Sequence, residues 1–164
     1  MTHSIDNLLK EIEKLHARNN LSQTISPEYF DPGMMEYFDK SDGIYEPKTG
    51  KIILRFEARG TRYEGRTEHI ERMHQGDKIT FVREPENIFN PNNFTLINAK
   101  GNNVGQMPAE LCNAIAPLYD SGVLEIVDSF VSFVEPLTKR NRHARQAVLF
   151  VELQCKLIFY TCNC

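Results

Sequence analysis

The chain has 164 residues, 41% hydrophobic and 25% charged, a composition suited to one ordinary domain with a single core. Its formal net charge of −3 excludes a generic polyanion binder held by bulk charge, so any nucleic-acid site must be a local basic patch. No apolar stretch approaches the ~20 residues of a membrane span, and the polar, acidic N-terminus does not read as a signal peptide. The expectation is a cytoplasmic protein, with Cys112, Cys155, Cys162 and Cys164 as reduced thiols and no membrane contact.

In chain order, residues 4 to 18 predict an amphipathic helix, with Ser4 as N-cap and Ile5, Leu8, Leu9, Ile12 and Leu15 as its apolar stripe. Residues 20 to 50 are rich in Ser, Asp, Pro and Gly, with isolated aromatics such as Tyr29, Phe38 and Tyr45, and read as an irregular arm. Lys51 to Ala58 alternates as a strand after the turn Pro47-Lys48-Thr49-Gly50. A short helix follows over Arg66 to Met73, with Thr67 as a candidate N-cap. Strands are expected at Ile79 to Arg83, Phe94 to Ala99 and Val104 to Met107, the last two joined by a hairpin at Gly101-Asn102-Asn103. Pro108 then opens a helix at its first position, running through Leu111, Cys112, Ile115 and Leu118. Val123 to Val134 and Ala147 to Phe159 complete the strands. This pattern predicts a mainly β fold with flanking helices: a small OB/SH3-like β-barrel with an N-terminal helical extension. The organisation expected is a helix and arm over 1–50, the barrel over 51–159 and a short tail over 160–164.

The charge is uneven. Arg59, Arg62, Arg66, Arg72, Lys78 and Arg83 crowd together with His69 and His74, and Lys139, Arg140, Arg142, His143 and Arg145 form a second run. A solvated face accounts for such runs as well as a ligand does. No Walker A loop, dinucleotide fingerprint or nucleophile elbow is present, so no catalytic residue is assigned and no enzyme is expected. His69 and His74 stand five apart, about 140° around a helix axis, which suits a charged outer face better than a zinc pair. Cys162 and Cys164 are two thiols without two further close ligands, so neither metal nor cofactor is expected.

The most informative stretch is Val82 to Ala109, VREPENIFNPNNFTLINAKGNNVGQMPA. Its loop sets Phe89 among Asn87, Asn90, Asn92 and Asn93, between two apolar strands. A plain connection needs no aromatic there, whereas a surface that stacks a base and offers it amides does. The segments REPENIFNPNNF, AKGNN and VGQMP, with Gly60-Thr61-Arg62-Tyr63 upstream, resemble the HIRAN family over roughly residues 52 to 157. That family comprises stand-alone bacterial and phage proteins and N-terminal modules of Swi/Snf-class DNA-remodelling ATPases. The resemblance implies a compact β-barrel flanked by helices and a role in binding DNA, as single strands or 3′ ends.

Arg62 and Tyr63 join a guanidinium that fits a phosphate to a ring that stacks on a base. Spacing alone is better served by a packed Tyr63 and a surface ion pair at Arg62; the resemblance points to capture of a free 3′ end. It also implies stacking by Phe89, with Asn90 standing where family members carry an Asp that accepts from the 3′-hydroxyl. Asn87 and Asn92 match motif positions, although Asn beside Pro is also ordinary turn chemistry. Gln106 stands where some members carry a phosphate-contacting His, and Ala109 where helicase-linked members carry a Lys. Arg59 and Arg66 are expected to add phosphate contacts and salt sensitivity. Arg83 and Glu84 read mainly as structural, at the loop base. Two other functions compete with DNA binding. Residues 1–50 could dock a helicase or nuclease, making the protein an adaptor, or an unrecognised site around His69 or Glu71 could hydrolyse nucleic acid with a metal.

Overall fold

The computed structural model describes residues 43–46, 49–140 and 143–158. The helix expected over 4–18, most of the 20–50 arm and its docking role, and Cys162 and Cys164 lie outside the described residues.

Four strands form one antiparallel sheet in the order β1-β2-β7-β6: β1 (Ile44–Glu46), β2 (Lys51–Glu57), β7 (Val148–Leu157) and β6 (Leu124–Glu135). Its inner face follows from the two-residue period. Ile52, Leu54 and Phe56 of β2 are buried, as are Leu149, Val151, Leu153, Cys155 and Leu157 of β7, while Lys51 and Arg55 face solvent. β6 shifts register against β7 at Ile126/Asp128 and at Val131/Phe133, and each shift marks a bulge that bends a long strand. The second sheet is the meander β3 (Thr80–Glu84), β4 (Asn93–Ile97) and β5 (Asn103–Gln106). Helix α1 (Arg66–Glu71) precedes β3, and helix α2 (Ala109–Asp120) follows β5 and buries Leu111, Cys112, Ile115 and Leu118. No helix among the described residues is long and apolar enough to cross a membrane.

The fold is mainly β with flanking helices, as expected, and its strands divide into two sheets, with bridges at Arg59↔Gln106 and Lys78↔Phe130. Residues 58–79 leave β2, make the turn and α1, and bond to both sheets on the way: Arg59 exchanges two backbone hydrogen bonds with Gln106 of β5, and Gly76, Asp77 and Ile79 bond to Val131 and Ser129 of β6. The core lies between the sheets, where Phe56, Ile70, Ile79, Phe94 and Leu96 are fully buried and Phe81 packs between the rings of Phe56 and Phe94.

Local differences have local causes. β1 falls in the stretch expected to be an irregular arm; it pairs with β2, with Ile44 opposite Ile53. α1 starts after Gly65 and not at Thr67, whose hydroxyl instead donates to Thr61 O at 2.8 Å. Pro108 is the N-cap of α2, one residue outside its expected place. Pro117 sits within that helix, where it withholds an N–H from the last turns. Cys112 and Cys155 are core residues, and burial pushes the Cys112 thiol up to about 11 and that of Cys155 higher still.

Candidate nucleic-acid interface

The loop between β3 and β4 is held from below. Arg83 donates to both oxygens of Asp120 on α2, at 3.0 and 2.8 Å, and its third nitrogen reaches Pro91 O at 2.6 Å and Asn93 O at 3.3 Å. One planar fork thus ties the end of β3, the loop itself and the helix C-terminus together. Beside it, Glu84 accepts from the Asn93 amide and the Thr95 hydroxyl, both on buried residues. Arg83 and Glu84 therefore act as structural residues, but their partners are α2 and β4 rather than each other's sequence neighbours.

The asparagines set the loop's own shape. Asn87 Oδ1 accepts from the backbone N–H groups of Phe89 and Asn90, at 2.9 and 3.0 Å, and Asn90 Oδ1 accepts from that of Asn92 at 2.9 Å. These are Asx turns, in which a side-chain amide replaces a backbone carbonyl. Asn92 donates to Asn113 Oδ1 of α2 at 3.2 Å, a second tether. The turn chemistry noted from sequence is thus present at Asn87, and at Asn90 besides, whereas the Asn92 side chain serves the tether. Its consequence is that the loop tip has nowhere to fold inward: Ile88 is 88% exposed and Phe89 90%.

Beneath Phe89 lies a groove of about 430 Å³, lined also by Arg59, Asn87, Asn90, Asn93, Gln106, Met107, Ala109 and Glu110. Its floor depends on one close approach. Arg59 and Gln106 exchange backbone hydrogen bonds of 2.8 and 2.9 Å, which join the two sheets at the groove. Gly105, at φ +132°, makes that possible, because a Cβ there would sit 2.8 Å from Arg59 O. The Gly of VGQMP is therefore required by the backbone crossing.

Of the residues expected to bind, Arg59, Asn87, Phe89, Asn90 and Gln106 come together at this groove. Arg62 and Tyr63 do not line it; they lie on the turn that leaves Arg59 through Gly60. Tyr63 is not packed into the core but half-exposed, with the Arg62 guanidinium 4.8 Å from its ring centre and an Arg62 Nη2 to Tyr63 Oη bond of 2.6 Å. Arg66 is a correction. It was expected to reach a phosphate, but it is 8% exposed, donates to Gly60 O at 3.0 Å and lies 3.4 Å from Glu64 Oε2. It braces the turn that presents Arg62 and Tyr63, and a side chain at Gly60 would collide with it. Asn92 serves the loop tether and is not part of the groove lining. Sequence reasoning missed Asn93, Met107 and Glu110 as lining. Only Glu110 carried a usable signal, since the first turn of a helix that begins at a groove faces that groove. Among the described residues no three of His, Cys, Asp and Glu converge closely enough to hold a metal.

The HIRAN domain family model matches residues 53–152, more than half of the chain, and the chain belongs to that family. Membership assigns it a nucleic-acid-binding role. The HIRAN domain of human HLTF, known from a crystal structure, is 22% identical to this chain; the match covers 65% of this chain and 81% of that one, with a TM-score of 0.46. No curated protein matches the sequence.

Proposed function

We propose that this chain is a DNA-binding module without catalytic chemistry of its own, taking single strands or exposed DNA ends of the kind met in repair and replication. The observation that carries this reading is Phe89. A phenyl ring 90% exposed, on a loop pinned by Arg83 and three asparagines, is a stacking platform already in place before ligand arrives. Base stacking on such a ring contributes ~1–3 kcal/mol. Arg59 supplies positive charge to the groove, and the amides of Asn87, Asn90 and Gln106 supply donors and acceptors.

The groove also suits a strand terminus. Glu110 places a carboxylate among its walls, which accepts a bond from a hydroxyl and repels a terminal phosphate. Asn90 is the weaker acceptor, since its oxygen already serves the Asn92 N–H.

Fluorescence anisotropy at low salt tests the reading with three labelled ligands: a single strand ending in a 3′-hydroxyl, the same strand ending in a 3′-phosphate, and a blunt duplex. The hydroxyl-ended strand is expected to bind tightest, with Glu110→Gln narrowing its advantage over the phosphate. Equal binding of both strands retains DNA binding and discards end recognition. No binding of any of the three overturns the DNA reading.

A further inference from the structure

A second cavity, of about 210 Å³, opens between the C-terminal end of α1, the turn at 77–78 and the β4–β5 hairpin. Arg72, Lys78 and Lys100 approach it from these three separate elements, together with His69 and the amides of Asn98 and Asn102. Two carboxylates bear on these cations. Asp128 pairs with Lys78 at 2.8 Å, and Asp77, in the cavity wall, accepts the backbone N–H of His74 at 2.9 Å. The side chains of Arg72 and Lys100 have no ion-pair or hydrogen-bond partner among the described residues. Asn98 Oδ1 is occupied by the backbone N–H groups of Lys100 and Asn102, at 3.0 and 2.8 Å, which leaves its NH₂ as the group to offer a ligand.

Three cations brought to one concavity by three elements outnumber the two carboxylates beside them, and their residual repulsion is unfavourable in the free chain, whose net charge is −3. An anion relieves that repulsion. We propose that this cavity is a second contact for the nucleic-acid backbone, holding phosphates of the same strand whose base stacks on Phe89. The inference rests on the DNA-binding reading above. What joins the two places is β5, which ends at Gln106 in the groove and begins at Asn103, next to Asn102 in the cavity wall. Four residues of extended chain span about 13 Å, the rise of roughly four phosphates of a stacked strand. A dinucleotide in the groove therefore falls short of the cavity, and a longer strand reaches it.

The test compares wild type, Arg72→Ala/Lys100→Ala and Phe89→Ala on a dinucleotide, followed by NMR shifts, and on a strand of about 16 nucleotides, followed by anisotropy across a salt series. The double variant is expected to leave dinucleotide binding unchanged and to weaken the long strand, with a salt slope shallower by about 1.4, that is about 0.7 for each lost phosphate contact. Arg72→Lys should keep the wild-type slope. Phe89→Ala should weaken both ligands. Wild-type affinity and slope for the double variant on the long strand would overturn the second contact while DNA binding stands. Equal loss on both ligands would overturn it too, since the change would then reach the groove. If wild type binds neither ligand, the DNA reading and this inference fall together.

Discussion

Among the described residues two arginines lie against aromatic rings, and they do different work. Arg83 sits 5.6 Å from the centre of Phe94, and Arg62 sits 4.8 Å from the centre of Tyr63. The residue chemistry is nearly the same in each. The surroundings are not. Arg83 has a side chain only 14% exposed, over a fully buried ring, and all three of its guanidinium nitrogens are engaged by Asp120, Pro91 and Asn93. Arg62 and Tyr63 are both exposed, and among the described residues their side chains hydrogen-bond only to each other. A guanidinium with four of its five N–H groups engaged and its side chain largely buried has little to give a phosphate; one that keeps free donors beside an exposed ring has more. An arginine–aromatic pair is thus sorted into scaffold or surface by its remaining hydrogen bonds.

That contrast breaks most sharply in stability. Arg83→Ala should destabilise the fold by about 2–3 kcal/mol, because it removes the bonds that tie Pro91, Asn93 and Asp120 together and frees the loop, and thermal unfolding will register it as a lower Tm. The same substitution at Arg62 should move stability by less than about 0.5 kcal/mol. Equal effects at the two sites would erase the distinction.

Binding should reverse the order. Phe89→Ala and Tyr63→Ala should each weaken single-strand binding by about 1–3 kcal/mol with Tm unchanged, as anisotropy titration and calorimetry on the same samples will show. An unaltered affinity for either variant removes that ring from the interface. Arg62→Ala should have a smaller effect, about 0.5–1 kcal/mol at an exposed pair, and should reduce the salt slope of binding. Arg62→Lys should restore the slope but not all of the affinity, since an ammonium lacks the planar fork.

The smallest effect belongs to a third, exposed pair. Lys78, through its side-chain hydrogen bond, and the Ser129 N–H hold the Asp128 carboxyl below its ordinary value. A depressed carboxyl contributes stability above its unfolded pKa, and that contribution disappears as pH falls through the lower folded value. Asp128→Asn should therefore lower Tm slightly at neutral pH and leave it unchanged in acid, which flattens the acid limb of a Tm-versus-pH curve. A large loss at pH 7 would show that the bulge at Asp128 depends on the ion pair, contrary to its exposure.

The sequence by itself determined the elements built from periodicity. Strand β2, the meander, helix α2 and the paired long strands follow from alternating or 3.6-residue apolar spacing, which acts over a few neighbours. The loop from Arg83 to Asn93, its Phe89 and the Gly of VGQMP were also legible, because special turns require special residues. Tertiary structure alone decided the rest, since those outcomes depend on partners far along the chain. It arranged the strands as two sheets, tied together where residues 58–79 bond to both β5 and β6. It turned Arg66 inward to Gly60 and brought Asp120 under Arg83, 37 residues away. It also set Lys100 opposite Arg72, which no spacing rule connects. Local pattern fixes which residues can form an element; which charges are satisfied and which are left to a ligand is settled only when the sheets pack.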